Sequence, residues 1–142
     1  MSEQDNMKHS RQIFDAWNSH DAERYVKLLD EKSTIESDTI PQKTLVGRDA
    51  ARQFFLVYAR AFPDLHFDIE QMLTAGDFVI VRWTATGTHR GDLMGLPPTN
   101  KRAVTRGCSV TEYKNGRPSH DRIYWDSGNL LRQLGVLPPH SP

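Results

Sequence analysis

Up to Ala61 the apolar side chains recur at helical spacing, and from Leu65 onward they alternate with polar ones. A polar start, about residues 1–8, reads as a flexible lead-in. Ile13, Phe14 and Trp17 then share one face of a helix that stops near Asn18 and Ser19. Ala22, Tyr25, Val26 and Leu29 fall at i, i+3, i+4 and i+7, the stripe of a second helix lying on an apolar surface. Thr34 to Ser37 suits a short strand, whereas Asp38 to Gly47, with Pro41 inside it, reads as a loop. Ala50, Phe54, Val57, Tyr58 and Ala61 mark the longest helix. It must stop before Pro63, because proline lacks a backbone donor and disfavours helical geometry in the residue ahead of it.

Leu65, Phe67 and Ile69 alternate with His66, Asp68 and Glu70, the period of a strand. Ala75-Gly76-Asp77 makes a turn, and Phe78 to His89 is a long strand whose apolar face is odd-numbered: Val79, Val81, Trp83, Ala85, Gly87 and His89. A loop from Gly91 to Lys101 leads to a third long strand, Val104 to Tyr113, and a turn at Lys114 to Arg117. His120 to Trp125 has the β-branched and aromatic character of a strand. Asp126 and Ser127 then offer oxygen acceptors to the free N–H groups of a new helix, on which Leu130, Leu131 and Leu134 recur. Gly135 ends that helix, and Pro138 and Pro139 prevent its resumption. Helices followed by an antiparallel meander give an α+β fold, here a single domain of residues 1–142 without internal repeats.

A domain of this size buries roughly two thirds of its unfolded surface, enough for one core. Eighteen residues of each charge sign leave no net field to attract nucleic acid or an anionic membrane, and no basic cluster offsets that balance. Cys108 is the only cysteine, which rules out an internal disulfide and fits a reducing compartment. The opening residues lack the apolar core of a signal peptide, so the expected location is the cytoplasm. His9, His20, His66, His120 and His140 are scattered without metal-ligand spacing, and no Walker loop, GxGxxG or nucleophile elbow occurs. Neither a metal nor another cofactor is expected.

The C-terminal strand–corner–helix, with AFPDL (Ala61 to Leu65), GTHRG (Gly87 to Gly91) and GLPPTNKR (Gly95 to Arg102), resembles the SnoaL-like polyketide cyclases of the nuclear transport factor two-like superfamily. The match runs from AWNSHD (Ala16 to Asp21) to the final prolines. It implies a cone-shaped α+β barrel: three N-terminal helices packed on a curved, mixed, mostly antiparallel sheet, a short C-terminal helix, and an apolar pocket between the layers. It also implies a homodimer through the outer sheet face, where His120, Arg122 and Tyr124 lie; a solvated polar face is the plainer reading.

The well-studied cyclases carry an acid/base aspartate three residues before the Asp that starts the last helix, and a glutamine and a histidine on the preceding strand. The corresponding residues here are Ile123, Gly107 and Ser109. A positioned acid or base supplies about 10²–10⁴ in rate, some 3–5 kcal/mol of barrier, and isoleucine moves no proton. Asp121, two residues upstream, is the nearest replacement; burial would raise its pKa toward neutrality. A carboxylate paired with arginine or facing water is the alternative. His89 is a second candidate, for acid/base work or for a hydrogen bond to a substrate carbonyl, unless it serves to fix the loop that follows it. Asp126 reads as a helix cap and Glu36 as a solvated carboxylate. Trp17, Tyr58, Trp83, Ser109, Ile123 and Trp125 are candidate substrate-binding residues, with Met94 and Leu96 as a lid; together the aromatics favour a flat, apolar ligand, although each singly is an ordinary core residue.

The register of the last two strands decides which side chains face the pocket. A two-residue turn at Asn115-Gly116 would place Cys108, Val110 and Glu112 on one face with Ile123, Asp121 and Ser119. A three-residue loop, Lys114-Asn115-Gly116, with a bulge would instead join Gly107, Ser109 and Thr111 to Ser119, Asp121, Ile123 and Trp125. The resemblance favours the second. The expected function is a cofactor-independent, polyketide cyclase-like enzyme using acid/base chemistry on a small ester; a non-catalytic ligand-binding or dimerisation module, and a hydrolase or dehydratase of the same superfamily, are the alternatives.

Overall fold

In the computed structural model, described over residues 2–139, the first helix, α1 (Glu3–Ser19), begins well inside the stretch read as flexible. Ser2 Oγ accepts the Asp5 N–H at 3.1 Å and the Asp5 carboxylate accepts the Ser2 N–H at 3.2 Å, a capping box that satisfies two free donors. Asn6 and Ser10 are buried, so the helix presses polar as well as apolar residues on the sheet, which hid its extent from an apolar count. At its other end Asn18 bonds both the N–H (2.7 Å) and the C=O (3.0 Å) of Phe67, and His20 Nε2 lies 2.7 Å from the Leu65 carbonyl. Short polar contacts thus pin α1 to the outermost strand.

Asp21 caps α2 (Ala22–Val26) by accepting the N–H groups of Glu23 and Arg24. The strand β1 (Thr34–Glu36) pairs with β2 (Thr44–Val46), a strand lying within the segment expected to be loop. β2 is three residues long, at the sheet edge and largely exposed, too short for an alternation to register. α3 (Arg48–Ala61) stops where expected, at 14 residues, although α1 with 17 is the longer helix.

The sheet continues with β3 (His66–Ala75), β4 (Phe78–Thr88), β5 (Arg102–Lys114) and β6 (Arg117–Trp125), followed by α4 (Ser127–Gln133). Its six strands lie in the order β2-β1-β6-β5-β4-β3; β1 and β6 run parallel, all other neighbours antiparallel, and the sheet does not close on itself. One extra residue, Glu70, interrupts the β3–β4 ladder; a bulge of this kind increases local twist and bends the strand. The odd face of β4 and β5 is buried and receives the helices. Two apolar clusters result, one around β4, β5 and α4 and one among the helices, and Trp17 and Ile123 pack against both. Gly91 shows why GTHRG follows AFPDL in space: a Cβ there would lie 2.1 Å from the Arg60 carbonyl oxygen, and the N–H groups of Arg90 and Gly91 both donate to Ala61. Among the described residues no helix is long and apolar enough to cross a membrane.

Candidate active site

A cavity of about 120 Å³ lies between the inner face of the sheet and α1 to α3. What faces it depends on the β5–β6 register, and the structure reaches the odd-with-odd pairing by a different route from the one expected. Lys114 pairs with Arg117 across a two-residue turn whose residues, Asn115 (φ 53°) and Gly116 (φ 78°), are left-handed, as a type I′ turn requires. Alone, that turn would put odd residues opposite even ones. The ladder then slips: Tyr113 pairs with Pro118, but Glu112 pairs with His120, so Ser119 is an unpaired extra residue. Proline, with no N–H to donate, is at home at such a bulge, and Ser119 Oγ donates to the Glu112 carbonyl at 3.2 Å. Pro118 takes the cavity-lining place expected of Ser119. Beyond the bulge Thr111 faces Asp121, Ser109 faces Ile123 and Gly107 faces Trp125.

Trp17, Tyr58, Trp83 and Trp125 all line the cavity, together with Ser109, Asp121 and Ile123. Asp121 is held by its cross-strand neighbour: Thr111 Oγ1 donates to Asp121 Oδ1 at 2.8 Å, and Oδ2 accepts no hydrogen bond among the described residues. No ion pair involves Asp121 among these residues, so the arginine partner considered from sequence is absent. Burial pushes its carboxyl up from 3.8 to about 6, while the Thr111 hydroxyl and the charge of His120 pull the other way. Its charge also helps burial to raise Tyr25 far above the ordinary phenol range. Tyr113, whose hydroxyl lies 2.6 Å from Ser10 Oγ, is raised by burial and to a lesser extent by Asp121. Burial pushes Tyr58 up to about 12. The phenols therefore remain neutral hydrogen-bonding groups, and Asp121 is the only carboxylate on the wall among the described residues, its proton affinity raised to where a general base is useful.

At the three positions where the resemblance puts cyclase side chains, the arrangement is apolar and filled. Gly107 lies under the Trp83 indole, so closely that a Cβ on it would fall 2.2 Å from Trp83 Cζ2. Trp83 Nε1–H donates to Ser109 Oγ at 3.1 Å, which takes up one acceptor site of that hydroxyl, and Ile123 packs against the core. The sequence offered no sign of this interlock, because it joins residues on two strands. Thr111 and Tyr25 were likewise not singled out; only the β5–β6 register identifies Thr111.

Two candidates lie elsewhere. His89 is fully buried but does not line the cavity. Its Nδ1 accepts the Thr99 N–H at 3.1 Å, its backbone bonds Asn100 and Lys101, and its ring packs on Phe62. Burial at a strand end, where the loop folds back, makes it a brace. Met94 is 59% exposed, because Met94 (φ 46°) and Gly95 (φ 91°) form the tip of a tight turn between Leu93 and Leu96 that lifts the side chain outward; it borders a separate outer groove. Leu96 packs against the core. Asp126 Oδ1 caps α4 through the Asn129 N–H at 3.0 Å. Glu36 bonds His120 Nε2 at 3.2 Å, away from the cavity lining. Among the described residues no group of three or more His, Cys, Asp or Glu side chains is arranged to hold a metal.

Several solved structures share this architecture. AclR from Streptomyces galilaeus, a proposed hydroxylase, superposes with a TM-score of 0.86 over 99% of this chain and 87% of its own, at 24% identity. A proposed SnoaL-like polyketide cyclase from Jannaschia sp. CCS1 gives 0.86 over 98% of each chain at 19% identity. IdmH from Streptomyces antibioticus, a proposed polyketide cyclase, gives 0.79 over 92% of this chain and 99% of its own at 25% identity. No curated protein matches the sequence. The family model of the SnoaL-like polyketide cyclases matches residues 8–134, nearly the whole fold from α1 to α4, and the chain belongs to that family.

Proposed function

We propose that the protein is a cofactor-independent enzyme of cyclase or isomerase type that removes a proton next to a carbonyl of a small, apolar, polyketide-like ester, with Asp121 as the base. The observation that carries this reading is the one carboxylate that the described residues place on a mostly apolar wall, raised to about 6 and held at Oδ1 by Thr111. A base of that affinity is ionised at neutral pH yet still takes up a proton readily. The neutral phenol of Tyr58 on the same wall is a donor for a developing enolate oxygen. This reading leaves His89 out, since its ring lies outside the cavity lining and its Nδ1 accepts the Thr99 N–H.

The test is exchange of the α-proton of aryl β-keto esters in D₂O, followed by NMR above the buffer background. Asp121→Asn should lose about 10²–10⁴-fold in kcat/KM; an undiminished rate would remove Asp121 as the base. A binding module is the second reading, favoured by Ile123 and by the Trp83–Gly107 interlock at the family's working positions; ligand uptake with no exchange in the unmutated protein would select it. We also propose a homodimer through the outer face around Arg122 and Tyr124, the latter 55% exposed, which analytical ultracentrifugation of Tyr124→Lys against the unmutated chain would test. A cytoplasmic setting accords with the free Cys108.

A further inference from the structure

We infer that Trp83 sets an upper limit on ligand size, so that the cavity accepts a carbonyl compound carrying one ring and rejects fused polycyclic ones. Across β4, β5 and β6 the inward residues form rows: Trp83, Gly107 and Trp125; then Val81, Ser109 and Ile123; then Val79, Thr111 and Asp121. Alternate residues on a strand are about 7 Å apart. From its own row Trp83 reaches across to the next, where Nε1 is bonded to Ser109. One row spacing, about 7 Å, therefore separates the anchored edge of the indole from the Asp121 row, and one six-membered ring fills it.

The indole is not free to swing aside. Gly107 admits it from below, where any side chain would collide. Ser109 holds its edge, and Phe67 meets it edge to face at a centroid distance of 5.2 Å. The whole cavity, which also passes the far side of the indole at Ala85 and Ala103, holds about 120 Å³, of the same order as the engineered apolar cavity of about 150 Å³ that binds benzene. The inference rests on the cavity being a ligand site, as proposed above, and not on Asp121 acting as a base.

The test is isothermal titration calorimetry with methyl phenylacetate, methyl 2-naphthylacetate and methyl 2-anthrylacetate. The unmutated protein should bind the one-ring ester at least tenfold more tightly than the three-ring ester. Trp83→Leu should reverse that order, with a gain of at least tenfold for the three-ring ester, and Trp83→Phe should move the same way by less. Circular dichroism checks folding, and Trp83→Phe carries the test if the leucine variant does not fold. Three-ring binding as tight as one-ring binding in the unmutated protein would overturn the inference. So would an unchanged order in both folded variants, or no binding of the one-ring ester. Binding with the expected order but no proton exchange for any carbonyl compound would leave the size limit standing and remove the enzyme reading instead.

Discussion

Asp121 makes the folded protein less stable at the pH where it can act as a base. Its proton affinity in the fold corresponds to about 6, against 3.8 for an ordinary aspartate. Between these values the native state keeps a proton that the unfolded chain has released. The contribution is therefore most favourable below about 3.8 and is lost as the pH rises through about 6. At about 1.4 kcal/mol for each tenfold difference in proton affinity, the loss amounts to up to about 3 kcal/mol. Asp121→Asn removes the titration and keeps an oxygen able to accept the Thr111 hydroxyl. Other groups titrate over the same range, so the diagnostic quantity is the variant minus the unmutated protein, measured by urea denaturation from pH 4 to pH 7.5. That difference should start near zero and grow to about 3 kcal/mol in favour of the variant. For a domain of 142 residues the same gain raises Tm by about 10 °C near neutrality. The variant that gains this stability should lose proton exchange. A difference that stays flat within about 0.5 kcal/mol across the range would refute the reasoning, because it would mean that the carboxyl is not desolvated in the fold.

Gly107→Ala should cost about 1–3 kcal/mol in urea denaturation, since the new methyl must displace the Trp83 ring from its notch. Thr111→Val removes the hydrogen bond that stabilises the Asp121 anion, so the acidic limb of the pH–rate profile should move to higher pH; a shift to lower pH would contradict the assigned role. His89→Ala should cost about 2–4 kcal/mol in stability, from a cavity and an unpaired Thr99 N–H, and hydrogen exchange at Thr99 and Asn100 should accelerate. Ser2→Ala should lower Tm by a few degrees through loss of about 1 kcal/mol at the α1 cap.

The parts of this fold that could be read from the chain are those determined by near neighbours. Val79, Val81, Trp83 and Ala85 alternate cleanly, and Leu130 and Leu134 sit behind a capping Asp126; in such places spacing and burial carry the same information. The start of α1 was missed because its buried residues there are Asn6 and Ser10, polar groups whose place depends on partners far along the chain, such as Tyr113 for Ser10. β2 was missed because a three-residue edge strand has no period to detect. In the candidate site, residue spacing left two registers open and the resemblance selected the one that puts Asp121 on the cavity wall, although the expected reason, a longer turn, differs from the bulge at Ser119. The Trp83 interlock with Gly107 was not legible, and for His89 the loop-fixing alternative could be named but not its partner Thr99, since each depends on how separate segments approach one another.

The bulge at Ser119 governs which changes in length this hairpin can accept. It lies between the turn and the carboxylate, and if Ser119 were drawn into the ladder opposite Glu112 instead of bulging, the parity of everything downstream would shift. His120, Arg122 and Tyr124 would then point into the apolar interior, and Asp121, Ile123 and Trp125 would be turned to the outside. Adding or removing residues in pairs, by contrast, preserves the phase. Relatives that keep the bulge are therefore expected to differ in tip length by even numbers, and one that is a single residue shorter is expected to lack the bulge.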